Sequence, residues 1–334
     1  MRLSLVPSAL LNLLIQCAMA APTRMSVVLV ALDTQANKTA LMSLDFPDPS
    51  IVQDTDGQWY AFATTGNAKN IQAAKAPAPG GPWTYINQDM LPSTGRWTTG
   101  RDTWAPDVRV ISKDHYVMYY SGELQSDARF HCIGTATATS ILGPYTPSAA
   151  PFACPDSQGG AIDPAGFLDT ATSRRYVVYK VDGNSIGHGG SCNNGVAPYA
   201  PTPILLQEVA AGDGVTPLGR PVPILDRILE EDGPLVEAPD LVRTSDGSYV
   251  LFYSSHCWDS PLYSVNYAVA RSVAGPYARA AEPLIGSGDF GTTAPGGATS
   301  VEGGGRFVFH ANCPLGRCMF QAAFAVAGTT VSVS

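Results

Sequence analysis

The chain has 334 residues, a formal net charge of −8 and only 14% charged residues. That balance presents no basic face to nucleic acid or to an anionic membrane surface. Hydrophobic residues make up 45% and are spread along the chain, which excludes a disordered polymer and is ample for a large core.

Residues 1–20 read as a secretory signal peptide, so a secreted, extracellular protein is expected. Arg2 is the only charge, Leu10 to Ile15 is apolar apart from Asn12, and Ala18-Met19-Ala20 fits a small-x-small cleavage site. No later stretch approaches ~18 uninterrupted apolar residues, so no membrane span is expected. Residues 21–43 form an N-terminal segment. It holds the single N-glycosylation sequon, Asn37-Lys38-Thr39, in a polar stretch where modification of Asn37 is expected.

From residue 44 to 334 the chain repeats itself. Five openings, Asp48-Pro49-Ser50, Ala105-Pro106-Asp107, Asp163-Pro164-Ala165, Glu237-Ala238-Pro239 and Ala294-Pro295-Gly296, recur at intervals from the mid-fifties to the mid-seventies of residues. Each precedes an aromatic strand: Trp59 to Phe62, Tyr116 to Tyr120, Tyr176 to Tyr179, Tyr249 to Tyr253 and Arg306 to His310. Gly81-Pro82, Gly143-Pro144 and Gly275-Pro276 follow at a regular offset and read as turns between third and fourth strands. Blade three has Asp213-Gly214-Val215 in that place, and blade five is shorter. A repeat of this length, with 33 Gly and 27 Pro for turns, predicts an all-β, five-bladed β-propeller in one domain. A β-sandwich is the competitor, but it does not explain five openings of one kind. The segments Asn87 to Thr103, with Trp97, and Asp182 to Pro203, with Cys192, are long loops of the sort that shape a rim.

Cleavage after Ala20 removes Cys17 and leaves six cysteines. An even count after an export signal predicts disulfides, paired Cys132–Cys154, Cys192–Cys257 and Cys313–Cys318. A zinc site is the alternative, but no Cys-x-x-Cys is present and histidines number five.

Asp48, Asp163 and Glu237 each stand in apolar surroundings at the start of an inner strand. A lone acid of this kind is a turn or cap residue, but burying a carboxylate is costly, and three on inner strands that converge on one axis point to a shared task. Paired carboxyls suit acid–base hydrolysis, one activating water and one protonating a leaving oxygen. A third carboxylate beside the acid keeps it protonated by like-charge repulsion. Spacing alone does not say which acid has which role. Trp104 is the candidate sugar platform, since an indole offers the largest face to the C–H side of a sugar. A core position between blades is its alternative. Phe46 beside Asp48 is a candidate pocket wall. His256, with Trp258, is a candidate rim residue, though a structural place suits His256 equally. Asp107 and His310 read as structural.

The motifs Asp48-Pro49-Ser50, Trp104-Ala105-Pro106-Asp107, Ile162-Asp163-Pro164 and Val236-Glu237-Ala238-Pro239 resemble those of glycoside hydrolase family 43, five-bladed propeller enzymes acting on arabinan and xylan. The resemblance runs from about Leu44 to Val333 and is to a secreted member of fungal type. Ala238 stands where the family often has Gly. The resemblance implies Asp48 as general base, Glu237 as general acid and Asp163 as the residue that orients and tunes the acid. It also implies a plant cell-wall polysaccharide or oligosaccharide as substrate, with α-L-arabinofuranosidase or arabinanase activity first and β-xylosidase as the alternative. Gly297 stands where many members have a histidine near an axial metal or water, so no required metal and no cofactor are expected. A monomer is expected. A non-hydrolytic sugar-binding propeller is the other class, but it has no use for a matched acid and base.

Overall fold

A computed structural model describes residues 39–334 of the chain. The proposed signal peptide, most of the 21–43 segment and Asn37 lie outside the described residues.

Five four-stranded antiparallel sheets follow one another. Blade one is β1 (Ser50–Gln53), β2 (Trp59–Ala63), β3 (Gln72–Ala76) and β4 (Thr84–Ile86). Blade two is β5 (Trp104–Ser112), β6 (His115–Glu123), β7 (His131–Ala138) and β8 (Thr146–Pro147). Blade three is β9 (Ala161–Asp169), β10 (Arg174–Val181), β11 (Ile204–Val209) and β12 (Pro217–Leu225). Blade four is β13 (Val236–Arg243), β14 (Tyr249–Ser255), β15 (Ser264–Ala270) and β16 (Ala278–Arg279). Blade five is β17 (Gly296–Ser300), β18 (Arg306–Cys313), β19 (Gly316–Ala327) and β20 (Thr330–Val333). The first strands β1, β5, β9, β13 and β17 touch in that cyclic order around the axis. The three Gly-Pro turns fall between third and fourth strands, and Asp213-Gly214-Val215 has the same place in blade three.

The aromatic strands are the second strands, and both of their faces are covered. Tyr116, Met118 and Tyr120 of β6 pack with Tyr60 and Phe62 of blade one. The alternate residues Val117 and Tyr119 pack with Val177 and Tyr179 of blade three. Three further clusters fill the remaining joints. Tyr176 and Val178 meet Leu251 and Tyr253, Phe252 meets Phe307, Phe309 and Phe324, and Val308 and Met319 meet Ile51 and Ala61. A strand buried on both faces is apolar throughout rather than alternating, which explains runs such as Tyr249 to Tyr253.

The ring closes through the segment before β1. The Leu41 N–H donates to the Met319 carbonyl and the Phe46 N–H to that of Arg317, at 2.7 and 2.8 Å. A charged belt links inner strands lower on the axis. Arg109 donates to Asp107 at 2.7 Å and lies 3.5 Å from Asp240. Asp107 accepts from the Gly166 N–H of blade three, and Asp240 from the Ser300 N–H and hydroxyl of blade five. Asp107 thus pins neighbouring blades below the upper cavity.

Candidate active site

Each inner strand carries one extra residue against its partner. Trp104 pairs with Ser121 and Asp107 with Tyr119. Ile162 pairs with Lys180 and Ala165 with Val178. Glu237 pairs with Ser254 and Asp240 with Phe252, and Gly296 with His310 and Thr299 with Val308. In blade one the Thr64 N–H donates to the Pro47 carbonyl, and Ser50 pairs with Phe62. The first bulged residue has a left-handed backbone in every blade: Asp48 (φ 52°), Ala105 (φ 42°), Asp163 (φ 57°), Ala238 (φ 50°) and Gly297 (φ 60°). Such a bulge bends the strand and re-aims its side chains, and the five bulges together line a small axial cavity. Asp is among the non-glycine residues that adopt this conformation most readily. Asp48 and Asp163 are therefore structural equivalents. Glu237 sits one residue earlier, where blade two has Trp104 and blade three has Ile162. The equivalent bulge of blade five is Gly297-Ala298, not the Ala294-Pro295-Gly296 opening expected from the sequence.

Above the bulges lies a cavity of about 540 Å³, lined by Asp48, Asp163 and Glu237 together with Trp104, Lys180, Asp182, Trp258, Tyr263 and Arg317, among others. The three carboxyls have different surroundings. Asp48 Oδ2 accepts from the Thr64 hydroxyl at 2.5 Å, and Oδ1 lies 3.2 Å from Arg317 Nη1 and 3.3 Å from His310 Nδ1. Burial favours its protonation, but the charge of Arg317 and the Thr64 hydroxyl outweigh that and hold the carboxyl well below the usual range. Asp163 Oδ2 accepts from the Ala238 N–H at 3.0 Å. Burial and then the charge of Glu237 push Asp163 well above the usual range, against the pull of Lys180. Glu237 Oε2 is bound by the ammonium of Lys180 at 3.1 Å, and that ammonium also lies 3.0 Å from Asp182 Oδ1. Burial alone would discharge Lys180, but Asp182, Glu237 and Asp163 keep it charged. Asp48 is set to accept a proton and Asp163 to hold one.

Trp104 lines the cavity. One face stacks on His131 at 3.6 Å between ring centres, and His131 donates from Nε2 to the Asp102 carbonyl. Phe46 does not reach the cavity. Its ring is fully buried with Met42, Ile51 and Val308, because the chain before the bulge turns into the joint between blades five and one. His256 also lies outside the lining. Its backbone N–H binds the Asp232 carbonyl, and its ring occupies the space over Gly233, where a Cβ would come within 2.6 Å of Nδ1. Its neighbour Trp258 supplies the rim instead, 51% exposed, with Arg317 over its ring at 5.2 Å. Sequence reasoning missed Lys180, Arg317, Tyr263 and Thr64. Arg317 carries a signal in hindsight: it lies between two cysteines of a short hairpin.

The cysteine pairs all lie at this mouth of the propeller, with Cα separations of 4.7 Å for Cys132–Cys154, 5.5 Å for Cys192–Cys257 and 5.8 Å for Cys313–Cys318. Each adjoins a residue of the site: His131, Asn193 with Trp258, and Arg317. The loop from Asp182 brings Asn184, Ser185 and Asn193 to the cavity. The loop with Trp97 instead packs that indole on Tyr120, 6.0 Å between centres.

The donors at the axis fit a resident metal poorly. Gly297 supplies no ligand. His310 directs Nδ1 at Asp48, and its buried Nε2 has no hydrogen-bond partner. Calcium wants six or more oxygens and zinc about four donors. Among the described residues the grouped metal-type donors are Cys192, Cys257 and Asp259, and those cysteines are bonded to each other.

Comparison with known proteins agrees with this architecture. Residues 38–321 match the model of Glycosyl hydrolases family 43. A "Probable arabinan endo-1,5-alpha-L-arabinosidase A" from Aspergillus flavus is 41% identical over 75 residues, 22% of this chain and 22% of that protein. One of the same name from Emericella nidulans is 32% identical over 96 residues, 28% of each. The chain thus aligns with only about a quarter of these relatives' length. Among solved structures, a thermostable family-43 glycoside hydrolase superposes with a TM-score of 0.72 at 22% identity, covering 86% of this chain and 92% of that one. An endo-arabinase from Bacteroides thetaiotaomicron gives a TM-score of 0.67 at 19% identity, covering 87% and 98%. At these identities the structures speak for the fold. With the family model spanning most of the propeller, the chain belongs to glycosyl hydrolases family 43.

Proposed function

We propose that the protein is a secreted glycosidase that hydrolyses arabinose-containing plant polysaccharides or oligosaccharides with inversion. The observation that carries this reading is the convergence of Asp48, Asp163 and Glu237 on one cavity, with Asp48 held ionised and Asp163 held protonated by their neighbours. The Asp48 carboxylate takes a proton from water as the water oxygen attacks the anomeric carbon. Glu237 gives a proton to the glycosidic oxygen as its bond to that carbon breaks. Asp163 anchors the Ala238 N–H next to Glu237 and so orients the acid. Trp104 and Trp258 offer apolar faces to sugar rings. The arabinanase names of the partly aligned relatives support a choice of arabinan over xylan.

The test is release of reducing sugar from arabinan and arabinoxylan, beside aryl α-L-arabinofuranosides and β-D-xylosides. Activity on arabinan or the arabinofuranoside is expected. Turnover of xylosides alone would move the assignment to β-xylosidase, and sugar binding without release would remove the catalytic reading.

A further inference from the structure

The bulge register defines one further set of equivalent residues, on the second strands: Thr64, Ser121, Lys180, Ser254 and His310. In four of the five joints this side chain accepts the N–H of the next blade's left-handed residue. Ala105 N donates to Thr64 Oγ1 at 2.8 Å, Asp163 N to Ser121 Oγ at 2.9 Å, Gly297 N to Ser254 Oγ at 3.0 Å and Asp48 N to His310 Nδ1 at 3.1 Å. These polar side chains thus latch four of the five joints.

Lys180 breaks the set. An ammonium has three donors and no acceptor, so it cannot receive the Ala238 N–H, which goes to Asp163 Oδ2 instead. Lys180 is fully buried, and a buried cation is costly unless its partners compensate. Its partners are Asp182 on its own strand end and Glu237 on blade four. A hydroxyl would serve the latch, as it does in three other blades. The joint that uses a lysine is the one that delivers Glu237.

We infer that Lys180 is a positioning residue for the acid step. The inference rests on Glu237 being the acid. Lys180 donates to Oε2 and leaves Oε1 as the oxygen that carries the proton. When that O–H bond breaks and the proton passes to the leaving oxygen, Glu237 becomes a carboxylate whose charge Lys180 faces at contact distance. The lysine therefore both aims the proton and stabilises the conjugate base. Asp182 holds the ammonium as its second partner.

The experiment is a pH–rate series on Lys180→Met, Lys180→Ser and Lys180→Arg, read on an arabino-oligosaccharide and on an aryl arabinofuranoside with a nitrophenol leaving group. Loss of the charge should move the basic limb of kcat/KM upward by about one to two pH units. It should also cost on the order of 100-fold on the oligosaccharide and far less on the aryl substrate. Lys180→Arg keeps the charge and should keep the limb where it is. If Lys180→Met does not fold, Lys180→Ser, which restores the hydroxyl of the other joints, gives the same readout. An unmoved limb with equal losses on both substrates would reduce Lys180 to a structural latch. Failure of the underlying reading is distinguishable, because Glu237→Gln would then itself show no dependence on the leaving group.

Discussion

His310 Nδ1 lies 3.1 Å from the backbone nitrogen of Asp48 and 3.3 Å from its Oδ1, in space that Gly297 leaves open. A Cβ at position 297 would come within 2.9 Å of that nitrogen, and the backbone there is left-handed. The imidazole accepts the Asp48 N–H and so fixes the left-handed bulge that carries the carboxylate at the joint where the ring closes. Burial, and then the charge of Arg317, disfavour protonation of the imidazole.

Gly297→Ala should push His310 off Asp48 and lower kcat, with a drop in melting temperature. His310→Ala should cost about 2–4 kcal/mol, from a cavity and an unpartnered N–H. It also frees the bulge that holds the Asp48 carboxylate against Arg317, so the acid limb of the pH–rate profile should move to higher pH. An unchanged acid limb in a folded variant would separate His310 from the base.

Asp163 offers a stability prediction whose sign follows from its raised pKa. The unfolded chain ionises this carboxyl near pH 3.9, whereas the folded protein resists ionisation until a higher pH. The group therefore costs stability above the unfolded value, and the cost grows until pH passes the folded one. Asp163→Asn keeps an acceptor for the Ala238 N–H and removes the cost. It should melt higher than the parent at pH 7, by less at pH 4, while losing most activity. A lower melting temperature at pH 7 would mean that the charge is satisfied in the folded state.

The bond between Cys192 and Cys257 ties the Asn193 loop to the segment carrying Trp258, across a separation of 65 residues. Replacing both cysteines by serine should cost about 2–4 kcal/mol. It should raise KM more than it lowers kcat, because the loop shapes the rim and not the acids. Parallel losses in kcat would show that the loop also orders the catalytic groups. The oxidised protein should titrate no free thiol among Cys132, Cys154, Cys192, Cys257, Cys313 and Cys318.

The propeller was legible because its signals are local. The aromatic second strands, the Gly-Pro turns and the acid-proline pairs can each be read within a few residues. The register was not. Glu237 looks matched to Asp48 and Asp163, yet it stands one position earlier, because the bulge begins after it. Ala294-Pro295 imitates an opening, yet the bulge of blade five falls at Gly297-Ala298. The latch residues Thr64, Ser121, Lys180, Ser254 and His310 share a place and no chemical type, so only the pairing of strands groups them. Phe46 and His256 were misplaced because sequence adjacency to a site residue does not fix the direction of a side chain across a bulge or a turn.

Chelator treatment should leave activity largely unchanged. Gly297 donates nothing, and a lone imidazole nitrogen at His310 is too few donors for calcium or zinc. A large loss reversed by calcium would show that oxygens around the axis gather into a site when the ion is present.

The division of labour among the acids is separable by kinetics. Glu237→Gln keeps the shape and removes the proton donor, so turnover of natural glycosides should fall on the order of 10²–10⁴-fold. An aryl glycoside with an acidic phenol needs little protonation and should retain far more activity. Asp48→Asn removes the base, so a better leaving group should not rescue it. Azide should, because a small anion can take the place of the activated water and yield a glycosyl azide. The Asp48 carboxylate is already held ionised by Arg317 and Thr64, so the parent should keep its base active well into the acid range. Asp163→Asn replaces a carboxyl that burial and Glu237 hold protonated with another neutral group, so it should leave the site filled and the basic limb close to its place in the parent. If instead the loss in Asp48→Asn shrinks with the better leaving group and that in Glu237→Gln does not, the acid and base are exchanged, and Lys180 would then face the residue that accepts the proton of water.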